Sequence, residues 1–212
     1  DFIDAFEFDE NEIDSYSMVN QLGAGKGIEK LKLHSYTYIK NIYEMFRSKT
    51  SKRCMISSGM AYLGSQRYGT QIRYLEKYPT WGALGRQISF AIDFCASGMG
   101  YFASGVGEWD FLSELDEKTT ELYIRWVQFL VFCPIMCVRG MKSENEMWSY
   151  GILPEFILKN QLKLRYELMP YIYSKAYELY KNGTPILRGL FFEFPEDEKG
   201  YGIKNEYMFG DT

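Results

Sequence analysis

The chain has 212 residues and 24.8 kDa, 46% hydrophobic and 17% aromatic, enough apolar material for a packed core and too much for a disordered tail. Its 24 Lys and Arg against 28 Asp and Glu leave a net charge of -4 with no basic run to track phosphates, so nucleic acid is not an expected partner. No apolar run reaches the roughly 20 residues of a membrane-spanning helix; the longest, 126–138, is interrupted by Gln128 and Pro134, and a soluble protein with no membrane partner is expected.

Residues 2–8 read as a strand that ends in the acidic cluster Asp9-Glu-Asn-Glu12. Gly23, Gly25 and Gly27 form a loop, but no Lys-Ser/Thr pair follows it and no strand leads into it, so it is not a phosphate cradle. Residues 30–47 carry Leu31, Tyr38, Ile39, Ile42, Tyr43 and Phe46 at helical spacing and predict an amphipathic helix. Strands are predicted over 53–57 and 68–75, with Gly59 and Gly64 in the loop between them. A helix over 80–96 follows, with Thr80 as its N-cap and Gly98 past its end.

Residues 99–103 are a further strand candidate, and 118–132 a helix with Leu122, Trp126, Phe129 and Leu130 on one face. The apolar run 134–138 predicts a strand buried on both faces. Residues 154–181 predict one or two helices that stop at Asn182-Gly183. Beyond that point 184–194 is strand-like, 195–199 is a charged turn and 207–209 a short apolar piece, so a domain junction is placed near Asn182. Strands alternating with helices indicate an α/β protein of parallel βα units, and periodicity leaves both a barrel and an open doubly wound sheet in play.

Cys54, Cys95, Cys133 and Cys137 are too few and too scattered for a disulfide framework, and His34, the one histidine, is remote from them. Cys133 and Cys137 flank Pro134 in an apolar run and are expected as buried free thiols rather than zinc ligands. This usage favours a reducing, cytoplasmic compartment. The chain opens on Asp1 rather than Met, so it reads as an excised or incomplete piece.

Leu63-Gly-Ser-Gln-Arg-Tyr-Gly69, followed by Glu76 and Trp81, resembles the acid/base segment of glycoside hydrolase family 31, the α-glucosidases and α-xylosidases. The family's run leads into Trp-x-Gly-Asp; here Arg73, Leu75 and Glu76 stand at the Trp, Gly and Asp. Glu121-Leu-Tyr-Ile-Arg-Trp-Val-Gln128, Leu164-Arg-Tyr-Glu-Leu-Met-Pro-Tyr171, Phe191-Phe-Glu-Phe-Pro195 and Tyr207-Met-Phe-Gly-Asp211 are similar to further family segments, in the family's order. The resemblance implies a partial (β/α)₈ TIM barrel, about strands 4 to 8, over residues 1–182, and the start of a β-sandwich over 183–212. It also implies that the rest of the barrel, or a homo-oligomer, is needed to close the fold.

The activity implied is hydrolysis of α-linked glucosides with retention, without metal or cofactor and with a carbohydrate as partner. Retention needs two carboxyl groups about 5–5.5 Å apart. Asp9-Glu-Asn-Glu12 resembles the family's Asp-x-Asn-Glu, which makes Asp9 the nucleophile candidate and Glu12 its neighbour in the site, against the reading of a solvated acidic strand end. Glu76 stands at the acid/base position, with Arg73 and Lys77 close by in sequence to favour its ionised form. Arg67 and Trp81 match sugar-binding positions.

Other positions depart. The family's Thr-Asp-Ile-Gly-Gly-Phe appears as Ser104-Gly-Val-Gly-Glu-Trp109, placing Gly105 where an Asp belongs, and its Arg-x-His appears as Cys137-Val-Arg139. Each lost hydrogen bond to a sugar hydroxyl is worth about 0.5–1.5 kcal/mol. Two readings therefore stand: a divergent hydrolase in which Glu108, Trp109 or Arg139 take new binding roles, and an inactive relative kept as a carbohydrate- or protein-binding module.

Overall fold

The computed structural model describes residues 5–8, 27–59, 61–76, 78–106, 117–138 and 146–212. The chain divides into two compact units, Asp1–Arg73 and Tyr74–Thr212.

In the first unit β1 (Phe6–Phe8) is followed by α1 (Gly27–Lys49), β2 (Ile56–Ser58) and the beginning of β3 (Thr70–Leu75). β1 runs parallel to β2, with Phe6 opposite Ile56, and β2 parallel to β3, with Ile56 opposite Thr70. Ile39, Ile56 and Tyr68 form the buried centre, with Phe6, Tyr36, Ile42 and Tyr43 packed around it. The packed face of α1 differs from the expected one: Tyr38 is exposed, whereas Tyr36 turns inward and shares a 3.1 Å hydrogen bond with the Tyr68 hydroxyl. Residues 36, 39, 43 and 46 recur at steps of three and four, and position 38 lies about a quarter-turn off that line.

β3 also starts later than predicted, because Ser65–Tyr68 closes a 3₁₀ turn and Gly69 follows it at φ +66°. A Cβ at Gly69 would stand 2.2 Å from the Cys54 carbonyl oxygen, so this left-handed, tightly approached position takes glycine.

The second unit takes up β3 at Tyr74 and continues through α2 (Trp81–Ala96), β4 (Phe102–Val106), α3 (Glu117–Val131), β5 (Ile135–Val138) and α4 (Ile152–Asn182). Thr80 caps α2 as expected, its Oγ1 accepting the Ala83 N–H at 3.0 Å. β4 and β5 are parallel, pairing Ala103 with Ile135 through Val106 with Val138. Leu84, Phe102, Tyr123, Trp126 and Leu130 lie at the centre of the main core. In both units paired strands are consecutive in the chain, without the reversal of order that marks a doubly wound sheet.

Three expectations change here. The fourth strand is 102–106 rather than 99–103, fully buried throughout, because Ser104 and Gly105 are small enough to enter the interior. β5 is half-buried rather than enclosed; Ile135, Met136 and Val138 line an open groove of about 580 Å³ with Leu162, Met169 and Tyr173. Of 184–194, Leu187–Arg188 (β6) is extended, and Leu190–Glu193 (α5) turns helical, the Phe194 N–H reaching the Leu190 carbonyl at 2.9 Å. β6 pairs antiparallel with β7 (Met208–Phe209).

All four cysteines are free; Cys95 and Cys133 are buried and Cys54 and Cys137 half-buried, so Cys137 is less enclosed than its apolar neighbours suggested. Burial pushes the Cys95 thiol up to about 12 and raises Cys133 as well, leaving both inert at neutral pH. No helix among the described residues is long and apolar enough to cross a membrane.

Candidate active site

Glu76 follows the last residue of β3, and its side chain is 13% exposed. Two residues earlier, on the same face by the alternation of a strand, Tyr74 donates its hydroxyl proton to Glu76 Oε2 at 3.2 Å. The Tyr74 ring stacks on Phe90 at 4.7 Å, and Phe90 stacks on Phe94 at 5.5 Å, so α2 supplies the wall behind the phenol. Gln87, also on α2 and fully buried, donates from Nε2 to the Tyr74 carbonyl at 3.1 Å. Burial first, then the Glu76 charge and the hydrogen bond to it, raise the Tyr74 phenol above its ordinary value. It therefore stays protonated, and able to donate, at neutral pH.

Among the described residues the cation paired with Glu76 is Arg86, with Nη2 at 3.9 Å from Oε2. Arg73, expected from sequence to favour the ionised form of Glu76, forms an ion pair with Glu7 in the first unit, and Lys77 lies outside the described residues. Trp81 is the first residue of α2 and 52% exposed, its indole open to solvent. Arg67 sits in the Ser65–Tyr68 turn of the first unit, exposed, with its guanidinium 5.9 Å over the Tyr68 ring. Asp9, Glu12, Glu108, Trp109 and Arg139 fall outside the described residues.

Gly105 and Cys137 are direct partners across β4 and β5. Two neighbouring positions at which the family resemblance expects charged sugar ligands thus carry a hydrogen atom and a thiol. Sequence reading missed Tyr74, Gln87 and Arg86. The signal for Tyr74 was its place two residues before Glu76 on a strand; Gln87 and Arg86 act through space from the next helix, and spacing alone does not reveal them. Among the described residues no three His, Cys, Asp or Glu converge as a metal site.

A family model described as the glycosyl hydrolases family 31 TIM-barrel domain matches residues 1–175, and one described as the glycosyl hydrolase family 31 C-terminal domain matches 183–212. The chain belongs to glycosyl hydrolase family 31. An α-xylosidase from Saccharolobus solfataricus is 32% identical over 189 residues, covering 89% of this chain and 26% of that protein. An α-glucosidase from the same organism is 29% identical over 174 residues, covering 79% and 24%. The chain thus spans about a quarter of the length of the curated relatives it matches.

Among solved family 31 structures, an α-xylosidase from a soil metagenome complexed with xylose aligns at a TM-score of 0.75 and 30% identity over 82% of this chain and 29% of its own. A dextranase from Flavobacterium johnsoniae complexed with isomaltotriose aligns at 0.81 and 25% over 99% and 28%. The fold is accordingly part of a family 31 (β/α)₈ barrel, with a small antiparallel sheet after it. Barrel enzymes carry their active groups at the carboxyl ends of the strands, and Glu76 occupies such an end.

Proposed function

We propose that the full-length protein hydrolyses α-linked glucosides by retaining double displacement, with Asp9 as nucleophile and Glu76 as acid/base. The observation that carries this reading is Glu76 itself: a largely enclosed carboxyl at the carboxyl end of a barrel strand, held by a tyrosine hydroxyl. In the first step Glu76 gives its proton to the glycosidic oxygen as the C1–O bond breaks and an Asp9 oxygen bonds C1. In the second, Glu76 takes a proton from water, the hydroxide oxygen bonds C1 and Asp9 departs. Glu12, Arg67, Trp81, Glu108, Trp109 and Arg139 are assigned to sugar binding, residues 1–182 to the barrel and 183–212 to the start of the sandwich.

Several relatives' structures hold sugars, namely xylose, glucose and isomaltotriose, which supports a carbohydrate ligand. The Gly105–Cys137 pair favours a second reading, a sugar- or protein-binding relative without turnover, because two charged sugar contacts are absent there. The test is hydrolysis of aryl α-glucoside and aryl α-xyloside by the full-length protein beside Asp9→Asn. Turnover that falls at least about 1,000-fold in the variant, with the α-anomer released first, is expected. Equal background rates from both proteins would rule out the enzyme.

A further inference from the structure

We propose that Tyr74 is a positioning residue that fixes which carboxyl oxygen of Glu76 faces the leaving group, an inference that rests on Glu76 being the acid/base. Glu in place of Asp adds one C–C bond, about 1.5 Å of reach, and one more torsion about which the carboxyl swings. Displacements of about 1 Å at a reacting group cost on the order of 100-fold, so the longer arm needs a restraint. The Tyr74 hydroxyl supplies it by donating to Oε2 at 3.2 Å.

An oxygen that accepts this bond serves as the carbonyl oxygen of the protonated acid. The transferable proton is then left on Oε1, the oxygen that would face the glycosidic bond. The phenol is itself held at both ends. Its ring lies in the Phe90–Phe94 stack, and its backbone carbonyl accepts from Gln87, buried in the same helix. Arg86, 3.9 Å from the same Oε2, adds a charge on that side.

A general acid matters only where the leaving oxygen needs a proton, so a positioning defect is read in the leaving group. The full-length protein, Tyr74→Phe and Glu76→Gln are assayed for kcat/KM on an α-linked disaccharide and on 2,4-dinitrophenyl α-glucoside, whose phenolate leaves unassisted. Tyr74→Phe keeps the ring stack and is expected to lose about tenfold on the disaccharide and less than about threefold on the activated substrate. Glu76→Gln is expected to show the same split, larger. Equal losses on both substrates in Tyr74→Phe, or no loss on the disaccharide, would overturn the role of Tyr74 while leaving Glu76 in place. No split in Glu76→Gln would overturn the acid/base assignment and, with it, the role of Tyr74.

Discussion

Arg165 reaches from α4 to three carbonyl oxygens at the corner where α3 passes into β5: Val131 at 2.8 Å, Cys133 at 2.5 Å and Pro134 at 3.0 Å. Val131 and Cys133 are fully buried, so water cannot readily replace the guanidinium, and unpaired buried carbonyls cost about 1–3 kcal/mol each. The planar fork of arginine spans several acceptors at once, which a lysine ammonium on a flexible stem does not. Arg165→Met is therefore expected to lower unfolding free energy by about 2–4 kcal/mol, and Arg165→Lys to recover only part of that. Urea titrations of the three proteins measure it, and a loss under about 0.5 kcal/mol for the Met variant would refute the role.

Elements whose partners are near in sequence were legible; those fixed by distant partners were not. α3 was read from Leu122, Trp126, Phe129 and Leu130 at helical spacing, and all four are buried. β4 was misplaced by three residues, since Ser104 and Gly105 interrupt an apolar run yet lie in the interior. Glu76 stands out by its motif, whereas the packing of α2 on its partner Tyr74, through Gln87 and Phe90, exists only once the strand and helix meet.

The clasp between α4 and the β6–β7 sheet belongs to the same class. Lys175, buried on α4, reaches Glu178 at 2.9 Å and Asp211 at 2.5 Å, while Arg188 on β6 reaches Asp211 at 3.2 Å and Glu193 at 3.0 Å. Lys175 foremost, and Arg188 after the opposing effect of burial, hold the Asp211 carboxyl below its ordinary value of 3.8. A carboxyl with a depressed folded value adds stability above its unfolded value, and that contribution is lost as pH falls through the folded one. Asp211→Asn is thus expected to unfold at lower temperature than the parent at neutral pH, with the gap narrowing below about pH 4. Thermal melts of both proteins across that range decide it, and a gap that does not change with pH would sink the clasp as an ionic one.

At the scale of the molecule, α4 exposes a series of large apolar side chains. Ile152 is 90% exposed, Tyr166 76% and Tyr180 79%, and Phe156 and Tyr173 are also open. Tyr166, Tyr173 and Tyr180 are seven residues apart, which places them on one stripe along the helix. The stripe runs beside the open groove of Met136, Leu162, Met169 and Tyr173. Contiguous apolar patches beyond a few hundred Å² mark surfaces that other protein covers, and the chain spans only about a quarter of the relatives it matches. The 212 residues expressed alone are therefore expected to associate, with a sedimentation coefficient that rises with concentration. Replacing Tyr166 and Tyr173 together by Lys puts charge on the stripe without touching the buried face of α4, and should shift the population toward monomer. A parent chain that sediments as a single monomeric species at all concentrations would show that α4 tolerates water as it stands, and that its tyrosine stripe is not an interface.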